Sequence, residues 1–333
     1  MTGPDPGELL GLAVDAAAAA AAMLAAGRPA GPSGRPEVAD TKSSPTDVVT
    51  EMDRAAEVLI RRRLLAARPR DAILGEEGGE EAGRADGPGR VRWVVDPLDG
   101  TVNYLYGLPD WSVSIAAEVD GTVVAGVVTV PSHGEVFTAT LGGGAWLDAG
   151  GGEPVRLRCN TSVPLEQALV STGFGYEVPR RVVQGEVVGA VLPRVRDIRR
   201  GGSCAVDLCS LAAGRVDAYY ERGVNYWDWA AGGLVATEAG ALLGGLARAE
   251  ASPSMTIAAE PVLFGRLRDL LASLDAERDA LALAGQGARR AAAAAPGREC
   301  HRAGGVQRQP DHPGRAVVPR GDDQVEGEQR VLG

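Results

Sequence analysis

The stretch Val91-Arg92-Trp93-Val94-Val95-Asp96-Pro97-Leu98-Asp99-Gly100-Thr101 constrains this chain more than any other. Val91 to Val95 is apolar apart from one arginine, which predicts a short buried strand. Two carboxylates follow, Asp96 and Asp99, with a proline between them. Pro97 fixes its own φ and biases Asp96 toward extended backbone, so Asp96 closes the strand and Leu98 to Gly100 turn the chain. Gly100 permits a tight bend or the close approach of a ligand. A helix beginning after Thr101 would aim free N–H groups at the point the carboxylates face. Such a corner can hold hard cations on its carboxylates and an anion on its backbone, a pairing suited to phosphate chemistry with magnesium. Alone, the stretch reads equally as a strand and a D-G turn, so other acidic segments decide.

Three of them recur along the chain. Lys42-Ser43-Ser44-Pro45-Thr46-Asp47 leads to Thr50 and Asp53, which have capping-box spacing ahead of a helix with Met52, Ala55, Ala56, Leu59 and Ile60 along one face. Alone, Asp53 reads as a cap residue and Lys42 as a solvated charge. Ala72-Ile73-Leu74 is a short strand running into Gly75-Glu76-Glu77-Gly78-Gly79-Glu80-Glu81. Glu80 and Glu81 read as a solvated acidic loop. Glu76 stands at a strand end, as Asp96 does, and two carboxylates at adjacent strand ends could share a cation. Finally, Tyr226-Trp227-Asp228-Trp229 opens a small-residue helix, where Asp228 alone reads as an N-cap.

Composition excludes several alternatives. The net charge of −10 argues against a nucleic-acid groove or an anionic membrane surface, though not against an anionic substrate once metal ions reverse the local sign. Of three histidines only His133 lies in well-patterned sequence, which leaves little room for a multi-histidine zinc site or a Ser-His-Asp triad. The four cysteines have no C-x-x-C spacing and read as reduced thiols of a cytoplasmic protein. The alanine run at 16–26 lacks a basic n-region and reads as too short and too weakly apolar to span a bilayer, so residues 6–26 are expected to be the first helix of the fold, with no membrane partner.

The 333 residues suggest two halves. Residues 1–154 are expected to be an N-terminal α+β half carrying the metal and phosphate site. Its strands lie at 113–119, 122–130 and 135–140, with a hairpin loop at 142–144, after a turn-rich connection at 103–109. Residues 155–275 alternate strand and helix, as an α/β layer does, with strands at 168–172, 197–200 and 218–220. The last helix starts at Pro261 and the fold is expected to finish near Leu274. Residues 276–333 are rich in Ala, Gly, Arg and Pro without sustained apolar periodicity, and read as a disordered tail produced by read-through or an alternate frame.

Taken together, Lys42–Asp47 through Asp53, Gly75-Glu76-Glu77, Asp96-Pro97-Leu98-Asp99-Gly100-Thr101 and Trp227-Asp228 match, in order and spacing, the inositol monophosphatase family, which this chain resembles over roughly residues 8–275. Tyr104-x-x-Gly107-x-Pro109 and Ala218-Tyr219-Tyr220-Glu221 look most like the inositol monophosphatase branch. The resemblance implies a layered αβαβα sandwich of mixed α+β and α/β character, a homodimer, and a magnesium-dependent, lithium-sensitive phosphatase.

It also implies roles. Asp96 would bridge two Mg2+ ions, Glu76 and the Leu98 carbonyl would complete the first site, and Asp99 and Asp228 the second. A third ion is expected near Glu76. Thr101, paired with Asp53, would orient the attacking water and help remove its proton, while N–H groups around Gly100 and Thr101 hold the phosphate. A loop matching Gly202-Ser203-Cys204 and an acid matching Glu221 would contact a polyol; without the resemblance, Glu221 reads as a surface glutamate. The expected substrate is inositol 1-phosphate or a similar small phosphate ester. Histidinol phosphate, fructose 1,6-bisphosphate and a 3′-phosphonucleotide stand as alternatives, with Arg199 and Arg200 able to supply a second-phosphate pocket. A non-catalytic regulatory protein on the same fold ranks last.

Overall fold

In a computed structural model that describes residues 3–28, 40–41, 48–49, 51–81, 89–247 and 250–278, the elements in chain order are α1 (Pro6–Gly27), β1 (Asp40–Thr41), β2 (Val48–Val49), α2 (Glu51–Ala67), β3 (Ala72–Gly75), β4 (Gly79–Glu81), β5 (Val91–Asp99), α3 (Thr101–Tyr106), β6 (Ser112–Val119), β7 (Thr122–Val130), β8 (Glu135–Thr140), β9 (Gly144–Asp148), β10 (Val155–Arg156), β11 (Leu169–Thr172), α4 (Val178–Val191), β12 (Asp197–Arg199), α5 (Cys204–Ala212), β13 (Ala218–Glu221), α6 (Tyr226–Glu238), β14 (Leu242–Gly244), β15 (Thr256–Ala259) and α7 (Pro261–Ser273). An eight-stranded sheet runs β10-β9-β8-β7-β6-β5-β3-β4, and a five-stranded sheet runs β12-β11-β13-β15-β14.

Burial explains the layering. Trp93 and Val95 of β5 join one core cluster with α1 and α2, while Val94 between them joins another with α5 and α6. Both faces of the first sheet are therefore covered, and β5 reads as a nearly continuous apolar run for that reason. Tyr219 of β13 faces Leu208 and Leu211 of α5 and Ala236 of α6, whereas Tyr220 faces the α4 and α7 side. The result is a sandwich of helices, sheet, helices, sheet and helices. Small residues let the layers close up. A Cβ at Gly126 of β7 would lie 3.1 Å from the Ala231 Cα in α6, and one at Gly232 would lie 3.1 Å from the Leu208 Cβ and 3.2 Å from the Ala205 carbonyl in α5.

Several expectations need correcting. β5 does not end at Asp96 but continues to Asp99, with a register irregularity between the two that absorbs Pro97. Residues 101–106 form a helix rather than a turn-rich link. Glu80 lies on β4, an edge strand paired with β3, not in a loop. β10, expected in the second half, hydrogen-bonds to β9 of the first sheet. On α2 Ala55 is exposed, and the buried face carries Asp53, Ala56, Glu57, Ile60 and Leu64. α1 is 22 residues long and holds an 18-residue window with a mean hydropathy of 2.0, long and apolar enough to cross a membrane, contrary to expectation. Its apolar stripe of Leu9, Ala13, Ala16, Ala17, Ala20 and Leu24 is instead buried in the core.

Packing continues past Leu274: Ala276 is buried, and Arg278 pairs with Glu186 of α4. The Lys42–Asp47 segment, Thr50 and the tail from 279 onward lie outside the described residues.

Candidate active site

Two parallel strands bring the first carboxylates together. Gly75 of β3 lies opposite Val95 of β5, and the Glu76 N–H donates to the Val95 carbonyl at 3.2 Å. Glu76 and Asp96 therefore leave neighbouring strands side by side. The turn after Glu76 is held from below by Glu57. Its buried carboxylate accepts the Glu77 N–H at 2.7 Å and the Gly78 N–H at 2.8 Å, and pairs with Arg61 Nε at 2.8 Å. A Cβ at Gly75 would lie 2.5 Å from that carboxylate, so a larger residue there would displace Glu57 from the turn it holds.

The end of β5 is shaped by its own side chains. Asp96 Oδ1 accepts the Leu98 N–H at 3.0 Å. Gly100 sits at φ 89°, and a Cβ there would lie 2.9 Å from the Asp110 carbonyl. Thr101 then starts α3 with its Oγ1 3.0 Å from Asp53 Oδ1 and 3.1 Å from the Leu98 carbonyl. Asp53, fully buried in the first turn of α2, is the more basic of these two acceptors.

Asp228 and Glu221 come from the second half, which also holds Asp99 in place. Asp99 Oδ2 accepts the Ser203 hydroxyl at 2.5 Å and the Ala205 N–H at 2.7 Å, so it satisfies the start of α5 from another sheet. Ser203 is itself the N-cap, accepting the Val206 N–H at 3.2 Å. The Asn103 amide donates to the Asp110 and Gly201 carbonyls at 2.5 and 2.9 Å, tying α3 to the 201–203 turn. Asp228 is the third residue of α6, not its cap, and accepts the Asn225 N–H at 2.5 Å. Glu221 ends β13 and accepts the Tyr219 hydroxyl at 3.0 Å. A Cβ at Gly173 would lie 2.1 Å from the Glu221 carboxylate, so a larger residue there would displace that side chain.

These groups surround a cavity of about 410 Å³ lined by Glu76, Asp96, Asp99, Thr101, Glu221 and Asp228, with Leu98, Gly100, Gly202, Cys204, Arg180 and Arg200 among the rest of its wall. Burial, followed by the charges of Glu76, Asp99 and Asp228, pushes the Asp96 carboxyl well above the usual range. Asp96 lies within hydrogen-bonding reach of both Glu76 and Asp228. Asp228 is raised for the same reasons, burial first and then Glu76. Burial raises Asp99 to about 6 against the opposing pull of Ser203, the α5 amides and Arg200, and raises Glu221 to about 7. Burial also pushes the Cys204 thiol well up, which keeps it protonated and unreactive.

Among the described residues no three Asp, Glu, His or Cys side chains converge at metal-ligand spacing. Asp96, Asp99 and Asp228 each turn one oxygen onto an N–H or hydroxyl donor. The donor chemistry nonetheless fits a hard divalent cation, because four crowded carboxylates, Asp96 and Asp99 of them buried, destabilise one another's charge and a cation relieves that.

Of the site residues expected from sequence, Glu76, Asp96, Leu98, Asp99, Gly100, Thr101, Gly202, Cys204, Glu221 and Asp228 line the one cavity, and Asp53 stands directly behind Thr101. Ser203 does not reach the cavity, as its hydroxyl is turned onto Asp99. Arg199 is also outside, paired with Asp197 at 2.6 Å. Sequence reading passed over Tyr219, which lies two residues before Glu221 and so on the same strand face, a signal that was available. It also passed over Arg180 and Glu57, the latter set against Gly75 and Gly78, which are distant from it in sequence.

The model of the inositol monophosphatase family matches residues 5–278. The chain is 48% identical over 284 residues to inositol-1-monophosphatase SuhB of Mycobacterium tuberculosis, covering 82% of this chain and 96% of that one. It is 39% identical over 236 residues to Nus factor SuhB of Pasteurella multocida, covering 71% and 84%. The solved structure of Mycobacterium tuberculosis SuhB superposes with a TM-score of 0.68 at 41% identity, over 82% of this chain and 99% of that one.

Proposed function

The chain belongs to the inositol monophosphatase family, and from that membership we propose that it is a magnesium-dependent phosphomonoesterase acting on inositol 1-phosphate or a similar polyol monophosphate. The observation that carries this reading is the meeting of Glu76, Asp96, Asp99 and Asp228 around one cavity with the Thr101–Asp53 pair at its edge.

Glu76, Asp96 and the Leu98 carbonyl would hold one ion, Asp96, Asp99 and Asp228 a second, and Glu76 a third. When bound, magnesium supplies Lewis acidity and offsets the charge of the phosphate. The chain's own groups do the rest. The Thr101 hydroxyl has a single proton; donated to Asp53, it leaves the oxygen free to accept a proton from a water poised beside the ester. As the Thr101 oxygen takes the water's proton, its own proton passes to the Asp53 carboxylate, which holds it. Backbone N–H groups at Gly100 and Thr101 face the phosphate oxygens. Glu221 accepts hydroxyl protons of the polyol, its orientation fixed by Tyr219. The chain would work as a cytoplasmic homodimer with reduced cysteines.

The test is phosphate release, with magnesium, from inositol 1-phosphate, histidinol phosphate, fructose 1,6-bisphosphate and a 3′-phosphonucleotide, with Asp96→Asn beside the wild type. Preference for inositol 1-phosphate and a loss of about 10³-fold or more in the variant are expected. Folded wild-type protein that releases phosphate from none of them would overturn the reading in favour of a regulatory role.

A further inference from the structure

The buried face of α4 carries Val183, Val187 and Val191 and, among these valines, Gln184, which is only 7% exposed. A buried amide is costly unless its donor and its acceptor are both used. Here each is used, and on a different segment. Gln184 Oε1 accepts the Gly175 N–H at 3.0 Å, and Nε2 donates to the Arg222 carbonyl at 3.2 Å. Gly175 follows β11 and Arg222 follows β13. These strands are parallel neighbours whose register runs out at Thr172 and Tyr220, where the Thr172 hydroxyl donates to the Tyr220 carbonyl at 2.7 Å. Beyond that point one amide side chain from a third element ties the two segments together.

Both segments are wall of the active-site cavity. Phe174, Gly175 and Tyr176 of the first line it, as do Glu221, Gly223 and Val224 of the second, whereas Gln184 does not. The Glu221 carboxylate lies in the space that a Cβ at Gly173 would need. Its oxygens therefore sit directly against the first segment while its backbone belongs to the second. The second segment has its own anchor, the Gly223 N–H donating to the Pro253 carbonyl at 2.8 Å. Where the Glu221 oxygens stand thus depends on how closely the first segment is held to the second, and the span of the Gln184 amide sets that spacing.

We infer that Gln184 is a positioning residue for the polyol: by bridging Gly175 and Arg222 it fixes the two wall segments against each other and so places Glu221 for the substrate's hydroxyls. This rests on the phosphatase reading and deepens it with a residue that does not line the cavity. Its influence is confined to the hydroxyl-bearing part of the substrate. A phosphate ester with no other hydroxyl leaves Glu221 unused, so its binding and cleavage do not depend on Gln184.

The test compares two esters on the full chain with magnesium: inositol 1-phosphate, and 4-nitrophenyl phosphate, which has no hydroxyl beyond its phosphate. Gln184→Met keeps the length of the side chain and loses both hydrogen bonds. It should raise KM for inositol 1-phosphate about fivefold or more, the scale of one hydrogen bond, with kcat within about twofold. Both constants for 4-nitrophenyl phosphate should stay within about twofold of wild type. Gln184→Asn carries the same amide on a shorter stem and can reach only one segment, so it should show the same split to a smaller degree; it carries the comparison should Gln184→Met not fold. A packing role alone would move both esters together. Equal losses on the two esters, or an unchanged KM for inositol 1-phosphate, would overturn the role of Gln184 alone. Wild-type protein that releases no phosphate from inositol 1-phosphate would overturn the phosphatase reading together with it.

Discussion

At the scale of single residues, the site is a set of carboxylates that other side chains restrain. Glu57 shows this best. It touches no part of the cavity, yet it holds the two N–H groups that follow Glu76. Glu57→Gln keeps an acceptor but loses the charge and the pairing with Arg61. The magnesium concentration for half-maximal activity should rise about tenfold, as for other groups that orient a ligand, with kcat at saturating metal little changed. A lowered kcat at unchanged metal dependence would contradict this. Asp96 makes the complementary case. Burial and its neighbours' charges work against its ionised form, so Asp96→Asn should lose activity without lowering Tm at pH 7.5 in EDTA.

At the scale of elements, helix glycines differ in what surrounds them, and two of them predict opposite signs. Gly232 of α6 faces the Ala205 carbonyl and Leu208 of α5. Gly232→Val should cost ~1–3 kcal/mol in urea unfolding. It should also reduce activity, because the same two helices position Asp228 and the amides on Asp99. Gly189 lies exposed within α4 with nothing near its missing Cβ, so Gly189→Ala should stabilise by about 0.5–1 kcal/mol. Elements were legible in the sequence where their signals were local. β7 and β8 occupy the expected residues 122–130 and 135–140, and α7 begins at Pro261 as read. β4, β10 and β14 were not legible, since each is only two or three residues long, too short for an alternating pattern to show, and β9 was passed over behind the glycines at 142–144. The Asp96–Asp99 corner was readable from proline and glycine chemistry. The continuation of β5 through Pro97 was not, because the irregularity that allows it is set by Ser112 and Ser114 across the ladder.

At the scale of the whole molecule, the fold gathers acids from both sheets, and this has a pH signature. Folded Asp99 and Glu221 lie near 6 and 7, above the ordinary carboxylate value of about 4 that the unfolded chain shows. The folded state therefore keeps protons that the unfolded state has released. The stability these groups contribute is complete below about pH 4 and declines as pH rises through 6 and 7. In EDTA, Tm should fall between pH 5 and pH 7.5. Added magnesium should raise Tm more at pH 7.5 than at pH 5, since the cation then stands in for missing protons; an equal shift at both would count against a cation on these acids. The joint between the two sheets carries one more consequence. Asp99 ends β5 of the first sheet and accepts the Ala205 N–H of α5, a helix packed on both sheets, at 2.7 Å. A backbone hydrogen held by a buried carboxylate exchanges with solvent only when that joint opens. Loading the site should therefore lengthen the exchange lifetime of the Ala205 amide, so that one peptide group records, with no substrate present, how tightly the two layers are clasped.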